Sequence, residues 1–204
     1  MILHMSELSA AEKQQWLVSA VAPRPIALAS TVSRHGQVNL SPFSFFNVFS
    51  SEPPILIFSP ARRIRDASRK HTLMNIEEVG EVAISIVDAS ILDQANIASA
   101  DFPEGENEFE WAGFTEWPSV TISPPFVKES RVSMECKVNE IIPMGSKGGA
   151  GNLIICEVLV MHIDETILGT DQKICPVKFG QIGRLGGDWY CSMDEFVLFK
   201  LPKP

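Results

Sequence analysis

The stretch RPIALASTVSRHGQVNLSPFSFFNVFSSEPPILIFS, residues 24–59, alternates short apolar runs with turn residues. RPIALASTVS is rich in β-branched and small apolar residues, RHGQ predicts a turn in which Gly36 supplies the flexible position, and VNLSPFSFF follows as a second strand. PPILIFSP is a short apolar run bracketed by prolines, which is typical of a buried strand. The stretch therefore predicts strands joined by short turns.

The rest of the chain continues this pattern. Further strands are predicted for EVAISIVD, RVSMECKVNEIIP, NLIICEVLVMHID and the terminal EFVLFKLP, and the glycine-rich MGSKGGAG joins two of them as a hairpin. Helices are few: SELSAAEKQQWLVSAV capped by Ser6 or Ser9, KHTLMNIEEVG ending at Gly80, and SILDQANIAS with Ser90 and Asp93 as a capping-box-like pair. Because regular strand–helix alternation is missing, the pattern favours a closed antiparallel barrel with attached helices over a parallel nucleotide-binding sheet.

Composition bounds the function. The 204 residues carry a net charge of −8 and are 45% hydrophobic, which suits one large or two small domains with a sizeable core. An acidic balance argues against a nucleic-acid partner. The start MILHMSELSAAEKQQW lacks the features of a signal peptide, and no stretch approaches the roughly 20 apolar residues of a membrane span. We therefore expect a soluble cytoplasmic protein, with its four widely spaced cysteines as reduced thiols.

A basic cluster stands out against this acidic background. Its members are Arg62, Arg63, Arg65, Arg69 and Lys70. They directly precede His71 and Thr72, where a helix is predicted to begin and where Thr72 can cap it. A helix N-terminus favours phosphate because its N–H groups are unpaired and it carries partial positive charge. The cluster is either a phosphate site, with Lys70 and Arg63 as ligands, or a solvated charged loop.

The segment SPFSFFN, residues 41–47, combines aromatic and small polar residues. Phe43, Phe45 and Phe46 cannot all face one side of a strand. Ser44 and Asn47 beside them suit a flat heteroaromatic ligand with hydrogen-bonding edges. Ordinary core phenylalanines are the alternative.

Other motifs exclude more than they assign. GSKGGAG is not a phosphate-binding P-loop, because its Lys precedes the glycine pair and no helix pattern follows. The four histidines show no metal-ligand spacing, and no nucleophile motif appears. If the protein is an enzyme, a cofactor therefore supplies the chemistry.

Residues 100–125 form a long acidic and aromatic loop that suggests a lid. GRLGGDWY, with Arg184 and Tyr190, is either a structural turn or a functional loop.

Three separated motifs carry a family resemblance. The stretch of residues 24–59, then RKHTLMNIEEVGEVAISIV, then RLGGDWY resemble the flavin reductase-like, FMN-binding split-barrel proteins, which include flavoredoxin. EFEWAGFT is similar to another segment of that family, and the likeness covers nearly the whole chain in order.

The resemblance implies one domain over residues 1–204, a mainly β six-stranded antiparallel split barrel with Greek-key-type connections, and a homodimer with FMN near the subunit interface. It further implies an NAD(P)H-dependent flavin reductase that passes hydride from the nicotinamide to the flavin N5 and on to a flavin or another small acceptor, with no metal. By position, the ring would contact Ser44, Phe45, Phe46 and Asn47, with Ser30 and Thr31 nearby. The ribityl phosphate would be held by Ser59, Arg63, Lys70, His71 and Thr72.

Two points stay open at this stage. Many relatives have Lys-Asp-Thr where this chain has Lys70, His71 and Thr72, which adds possible positive charge at the phosphate and leaves a substrate contact by His71 undecided. The alternative functions are an FMN-binding electron carrier reduced by a partner protein and, more remotely, a heme- or deazaflavin-binding relative.

Overall fold

A seven-stranded antiparallel sheet forms the centre of the computed structural model, which describes residues 1–103 and 105–193. Along the sheet the strands run in the order β3, β2, β6, β9, β10, β5, β4. Their bounds are β2 (Ala27–Val32), β3 (Val38–Phe43), β4 (Phe46–Ser51), β5 (Pro54–Phe58), β6 (Glu81–Ile86), β9 (Val132–Pro143) and β10 (Asn152–Ile163). The predicted terminal strand EFVLFKLP lies outside the described residues.

The sheet has seven strands rather than six. The predicted strand VNLSPFSFF ends at Phe43 as β3, the chain turns at Ser44 and Phe45, and Phe46 begins β4, which was not predicted. These two strands lie at opposite edges of the sheet, yet only two residues connect them. Since a residue spans at most about 3.6 Å, the sheet must curve until its edges approach each other. The edges do not pair, which leaves the barrel open along one side.

Both faces of β2 are buried. On one face, Ala27 and Ala29 of β2 pack with Phe58 and Ile84 inside the barrel. On the other face, Leu28 packs in a second apolar cluster with helical residues. Burial on both sides explains why β2 reads as a continuous small apolar run rather than as an alternating one.

Five α-helices and two smaller sheets surround the barrel in the described part of the chain. The helices are α1 (Ala10–Ala20), α2 (His71–Val79), α3 (Leu92–Ile97), α4 (Glu108–Ala112) and α5 (Pro176–Phe179). Strands β1 (Arg24–Pro25), β11 (Ile182–Arg184) and β12 (Tyr190–Ser192) form one small sheet, and β7 (Glu116–Trp117) pairs with β8 (Phe126–Val127). None of the helices described is long and apolar enough to cross a membrane.

The helix ends test the predicted caps. Ser9 caps α1 in a capping box with Glu12, as one of the two predicted choices, and Gly80 ends α2 in the left-handed conformation. The predicted pair of Ser90 and Asp93 is wrong, because α3 has no side-chain cap and Ser90 donates to Asp88 instead. Residues 100–125 are also less irregular than predicted, since they contain α4 and β7.

A buried carboxylate fastens the loop before β8 to the barrel. Glu135 of β9 is fully buried and accepts hydrogen bonds from the backbone N–H of Val120 and Thr121, from Thr121 Oγ1, and from His162 Nε2 at 2.7 Å. These donors hold the pKa of Glu135 at about 2 despite its burial. The site stabilises the framework and lies away from the clefts described below.

Candidate functional site

A basic cleft of about 360 Å³ lies at the N-terminus of α2. The preceding loop, β3, the loop after α3 and the start of α4 form its walls. Its lining consists of Asn39, Ser41, Arg63, Ile64, Arg65, Lys70, His71, Thr72, Ser99, Ala100, Asp101, Phe102 and Glu108. The cleft therefore gathers two arginines of the basic cluster, its lysine and the first residues of the helix.

The first turn of α2 is open to a ligand. Lys70 occupies the N-cap position and no side chain caps the turn. Thr72 is therefore not the predicted cap; it is fully buried in the first turn and its hydroxyl contacts Asn39. An uncapped N-terminus leaves backbone N–H groups without intrahelical partners and places partial positive charge there. Both features favour an anion in the cleft.

Lys70 is a cation without a close counter-charge. Its Nζ lies 5.2 Å from the centroid of the Phe43 ring. Among the described residues, no carboxylate comes within 4.0 Å of it. Burial, and then the neighbouring Arg63, lower the pKa of Lys70. A partly desolvated ammonium beside another cation would be stabilised by a bound anion.

The two arginines of the cleft share one carboxylate. Arg63 donates to Asp101 Oδ1 from Nε at 3.1 Å and from Nη2 at 2.8 Å, and Arg65 Nη2 lies 2.7 Å from Asp101 Oδ2. Hydrogen bonding from Arg63 is the main cause that lowers the pKa of Asp101. Asp101 belongs to residues 100–125, the segment predicted as a lid. This segment therefore adds a negative charge to the lining of the basic cleft. The other two arginines of the cluster turn away: Arg62 donates to Ala67 O, and Arg69 pairs with Glu77.

A polar network behind the cleft joins α4, β3 and α2. The side-chain amide of Asn39 is oriented so that both its nitrogen and its oxygen have partners. The nitrogen donates to Glu108 Oε1 at 3.2 Å, and the oxygen accepts from Thr72 Oγ1 at 3.0 Å. Glu108 Oε2 also accepts from the backbone N–H of Leu40 at 3.0 Å. Burial raises the pKa of Glu108. The network fixes the hydroxyl of Thr72 and the start of α4 relative to each other.

A larger cavity of about 820 Å³ adjoins the basic cleft. Ser99 lines both spaces, and β3 passes from one to the other, with Ser41 in the basic cleft and Pro42 in the larger cavity. The remaining walls come from α1, α3, the turn after β3 and the β11–β12 hairpin. They are formed by Ala11, Gln14, Gln15, Val18, Arg24, Ile26, Ser44, Phe45, Asp93, Asn96, Arg184, Leu185, Gly187, Asp188 and Tyr190.

The predicted site residues divide into three groups. Arg63, Lys70, His71 and Thr72 line the basic cleft, and Ser44 and Phe45 line the larger cavity. The others line neither space: Ser30, Thr31, Phe46, Asn47 and Ser59.

The residues of the third group have other surroundings. Ser30 is buried and its Oγ has no partner among the described residues, while Thr31 Oγ1 accepts from Asn75 of α2 at 3.1 Å. Phe46 packs in the barrel core, Asn47 is exposed and its Oδ1 accepts from the N–H of Val48, and Ser59 Oγ accepts from the N–H of Asn152.

Sequence reasoning missed several lining residues. Asn39, Ser41 and Glu108 face the basic cleft, and Gln14, Gln15 and Arg24 line the larger cavity without having been singled out. Alternation along β3 could have indicated that Asn39 and Ser41 share a face. Glu108 begins the segment EFEWAGFT, which was noted only for its likeness to the family; nothing local places it at the cleft, because it lies 69 positions beyond Asn39.

All four cysteines are free thiols, as predicted. No three His, Cys, Asp or Glu side chains of the described ranges come together as a metal site would require.

Comparison with known families agrees with the arrangement of the strands. The model of the flavin reductase like domain matches residues 19–178. The chain belongs to the flavin reductase-like family. The mainly β split-barrel class expected from the sequence is thereby confirmed, and the family is a flavin-binding one.

One sequence relative and two solved structures are similar to this chain. An uncharacterised protein of Halalkalibacterium halodurans is 38% identical over 206 residues, covering 100% of this chain and 97% of its own. The crystal structure of nitrilotriacetate monooxygenase component B from Bacillus cereus has a TM-score of 0.91 at 31% identity, covering 98% of both chains. Flavoredoxin of Desulfovibrio vulgaris (Miyazaki F) has a TM-score of 0.72 at 23% identity, covering 88% of this chain and 91% of its own, and shows the shared fold.

Proposed function

We propose that this protein is an FMN-dependent oxidoreductase of the flavin reductase type that takes its electrons from NAD(P)H. Lys70 carries the proposal: it is a partly buried ammonium without a close carboxylate at the uncapped start of a helix, in a flavin-binding family. This combination suits the phosphate monoester of FMN.

The groups of the basic cleft fit that phosphate. Lys70 contributes a point charge, the first turn of α2 contributes backbone N–H donors, and Arg63 contributes a planar fork of donors. Two N–H groups of Arg63 already donate hydrogen bonds to Asp101. Lys70 and the first turn of α2 are therefore the groups that remain free to bind a phosphate. We therefore assign the phosphate to Lys70, His71 and Thr72, with Arg63 beside them.

The larger cavity fits the ring. Ser44 and Phe45 lie at its edge, where the chain passes from β3 to β4. Phe45 is 42% exposed, so its aromatic face is accessible, and Ser44 adds polar groups beside it. Because Ser99 borders both spaces, one ligand with a phosphate at one end and a flat ring at the other can occupy both.

The chemistry divides between cofactor and protein. Bound FMN supplies a ring that accepts hydride from a nicotinamide. The protein binds the phosphate, orients the ring and keeps positive charge near it, and no side chain has to act as acid or base. The protein residues assigned here are accordingly binding residues.

We also propose that the protein is a homodimer. Apolar side chains of β4 and β10 remain exposed, among them Phe49 at 72% and Met161 at 49%. Exposed apolar surface on strands is typical of a subunit contact. Light scattering of the purified protein should give twice the mass of 22.5 kDa, whereas the mass of one chain would contradict the assembly.

Titration with FMN followed by anaerobic addition of NADH or NADPH tests the function. We expect a protein that binds FMN and whose flavin absorbance is bleached by at least one of the two nucleotides. A flavin that binds but is bleached only by a reduced partner protein would favour the electron carrier. A protein that binds no FMN would overturn the proposal.

A further inference from the structure

The β11–β12 hairpin forms part of the wall of the larger cavity and carries the cation Arg184. This residue and Tyr190 are paired across the hairpin in register, and the Arg184 guanidinium carbon lies 4.2 Å from the centroid of the Tyr190 ring. The Arg184 side chain is 27% exposed. Stacking on an aromatic ring holds a guanidinium in one orientation while its edge stays free to donate hydrogen bonds.

The donors of Arg184 are only partly used. Nη2 donates to Gly187 O at 2.7 Å, and the nearest carboxylate in the described part of the chain, that of Asp188, lies 3.8 Å away and is fully exposed. An exposed ion pair at this distance contributes little. Since a guanidinium has five N–H donors, Arg184 keeps donors that can bind an anion in the cavity.

Arg24 differs from Arg184 although both line the cavity. It is 8% exposed and donates to the carbonyl oxygens of Val18, Val21 and Leu185, which ties the end of α1 to the hairpin. Its Nε is buried without a partner among the described residues. Arg24 therefore fixes the wall and adds positive charge behind Arg184, whereas Arg184 is placed to meet a ligand.

We propose that Arg184 and Tyr190 form the subsite for the pyrophosphate of the nicotinamide dinucleotide that reduces the flavin. The amide side chains of Gln14 and Gln15, exposed on α1 and lining the same cavity, face this subsite as hydrogen-bonding groups. The inference rests on the proposed function and names the place of its second substrate.

Size and charge support a dinucleotide here. A volume of about 820 Å³ exceeds the space that one flat ring needs and lies within the range of small-molecule sites. Arg24 and Arg184 both line the cavity, the Asp188 carboxylate near Arg184 is fully exposed, and Asp93 borders the cavity from α3. The arginines therefore suit the pyrophosphate, and the lining formed by Ser44 and Phe45 remains for the rings.

Equilibrium binding of NAD⁺ and NADP⁺ to the FMN-loaded protein, measured by calorimetry, tests the subsite. We expect Arg184→Gln to raise Kd for the oxidised dinucleotides about tenfold, the loss of a charge-assisted contact, while the Kd of FMN changes less than twofold. Arg184→Lys should recover part of the affinity because it restores the charge without the fork. Arg34→Gln, an exposed arginine that lines neither space, is the matched control and should change nothing.

A second variant keeps the test independent of the hairpin. Gln15→Glu places a carboxylate on the exposed wall of α1 and should also weaken dinucleotide binding severalfold by repulsion, with the contacts of Arg24 and Arg184 intact. Thermal melting checks that each variant is folded. If Arg184→Gln does not fold, the dinucleotide affinity of Gln15→Glu alone tests the subsite.

The outcomes separate this inference from the proposed function. Unchanged dinucleotide affinity in Arg184→Gln and Gln15→Glu would overturn the subsite while leaving FMN binding untouched. Weakened binding of benzoate, with NAD⁺ and NADP⁺ unaffected, would assign Arg184 to an aromatic carboxylate instead and overturn the dinucleotide. Failure of the wild-type protein to bind FMN would overturn the proposed function itself.

Discussion

The basic cleft and the larger cavity meet at Ser99 but hold their cations in different ways. In the basic cleft, Asp101 neutralises Arg63 and Arg65, and Lys70 is left without a close counter-charge. In the larger cavity, Arg184 stacks on Tyr190 and is only weakly paired with an exposed carboxylate. The first space concentrates positive charge at a helix end, whereas the second offers aromatic, amide and apolar surface around Arg184 and the buried Arg24.

This difference makes the two spaces separable by ligand. Riboflavin has the ring of FMN but lacks its phosphate. A change in the basic cleft should therefore affect FMN alone, and a change at the ring wall should affect FMN and riboflavin equally. Four substitutions follow, ordered from the largest expected effect to the smallest: the first tests the framework that the two spaces share, and the other three test their separation.

Glu135→Gln changes the framework that carries both spaces and lies in neither. Every partner of Glu135 is a donor, so the amide of Gln would set its own donor against one of them. We expect a loss of about 2–3 kcal/mol in the free energy of unfolding at pH 7, measured by urea denaturation. Glu140→Gln, at an exposed position of the same strand, is the control and should cost little.

The stabilisation by Glu135 should depend on pH. The folded-state pKa of Glu135 is about 2, below its usual value of 4.5. Its contribution is therefore fully present above about pH 4.5 and is lost as the pH falls toward 2. The difference between wild type and Glu135→Gln should shrink over that interval. A constant difference would show that the carboxylate charge is not what stabilises this site.

Lys70→Ala removes the unpaired ammonium of the basic cleft. We expect FMN to bind about 1–3 kcal/mol more weakly, as the loss of a charge-assisted contact implies, and riboflavin to bind as before. Quenching of flavin fluorescence measures both constants. Lys173→Ala, an exposed lysine that lines neither space, is the control. Equal weakening of both flavins would mean that Lys70 contacts the ring instead.

Phe45→Ala removes aromatic surface from the edge of the larger cavity. Aromatic contacts contribute about 0.5–1.5 kcal/mol, so both flavins should bind roughly three- to tenfold more weakly. Trp117→Ala is the control, because Trp117 is 45% exposed, much like Phe45, and lines neither space. If only FMN were affected, the assignment of the ring to this edge would be wrong.

Asp101→Asn releases both arginines of the basic cleft. We expect FMN to bind two- to fivefold more tightly, because the carboxylate competes with the phosphate and exposed ion pairs are worth less than about 1 kcal/mol. The gain should decrease with added salt. Asp66→Asn is the control, since Asp66 also pairs with Arg65 but does not line the cleft. Weaker FMN binding would instead mean that Asp101 holds Arg63 in the orientation that binds the phosphate.

The sequence predicted the elements whose signals are local. Hairpins, the capped helix α1 and the Gly80 end of α2 follow from residues within a few positions of one another, and so does the basic cluster before α2. Strand β4 was missed, because the two-residue turn before it has no glycine and resembles continuous strand. Helix α4 was missed inside the acidic segment of residues 100–125, because its 5 residues are too few to show a helical period.

What the sequence by itself determined is thus a β-rich chain with a basic cluster concentrated at one helix start. The tertiary structure decided which members of this cluster line the cleft, because Arg63 and Lys70 lie in its wall while Arg62 and Arg69 find partners elsewhere. It also brought Asp101 to Arg63 and Tyr190 to Arg184. Such contacts depend on how distant segments pack, and neither periodicity nor local spacing encodes that packing.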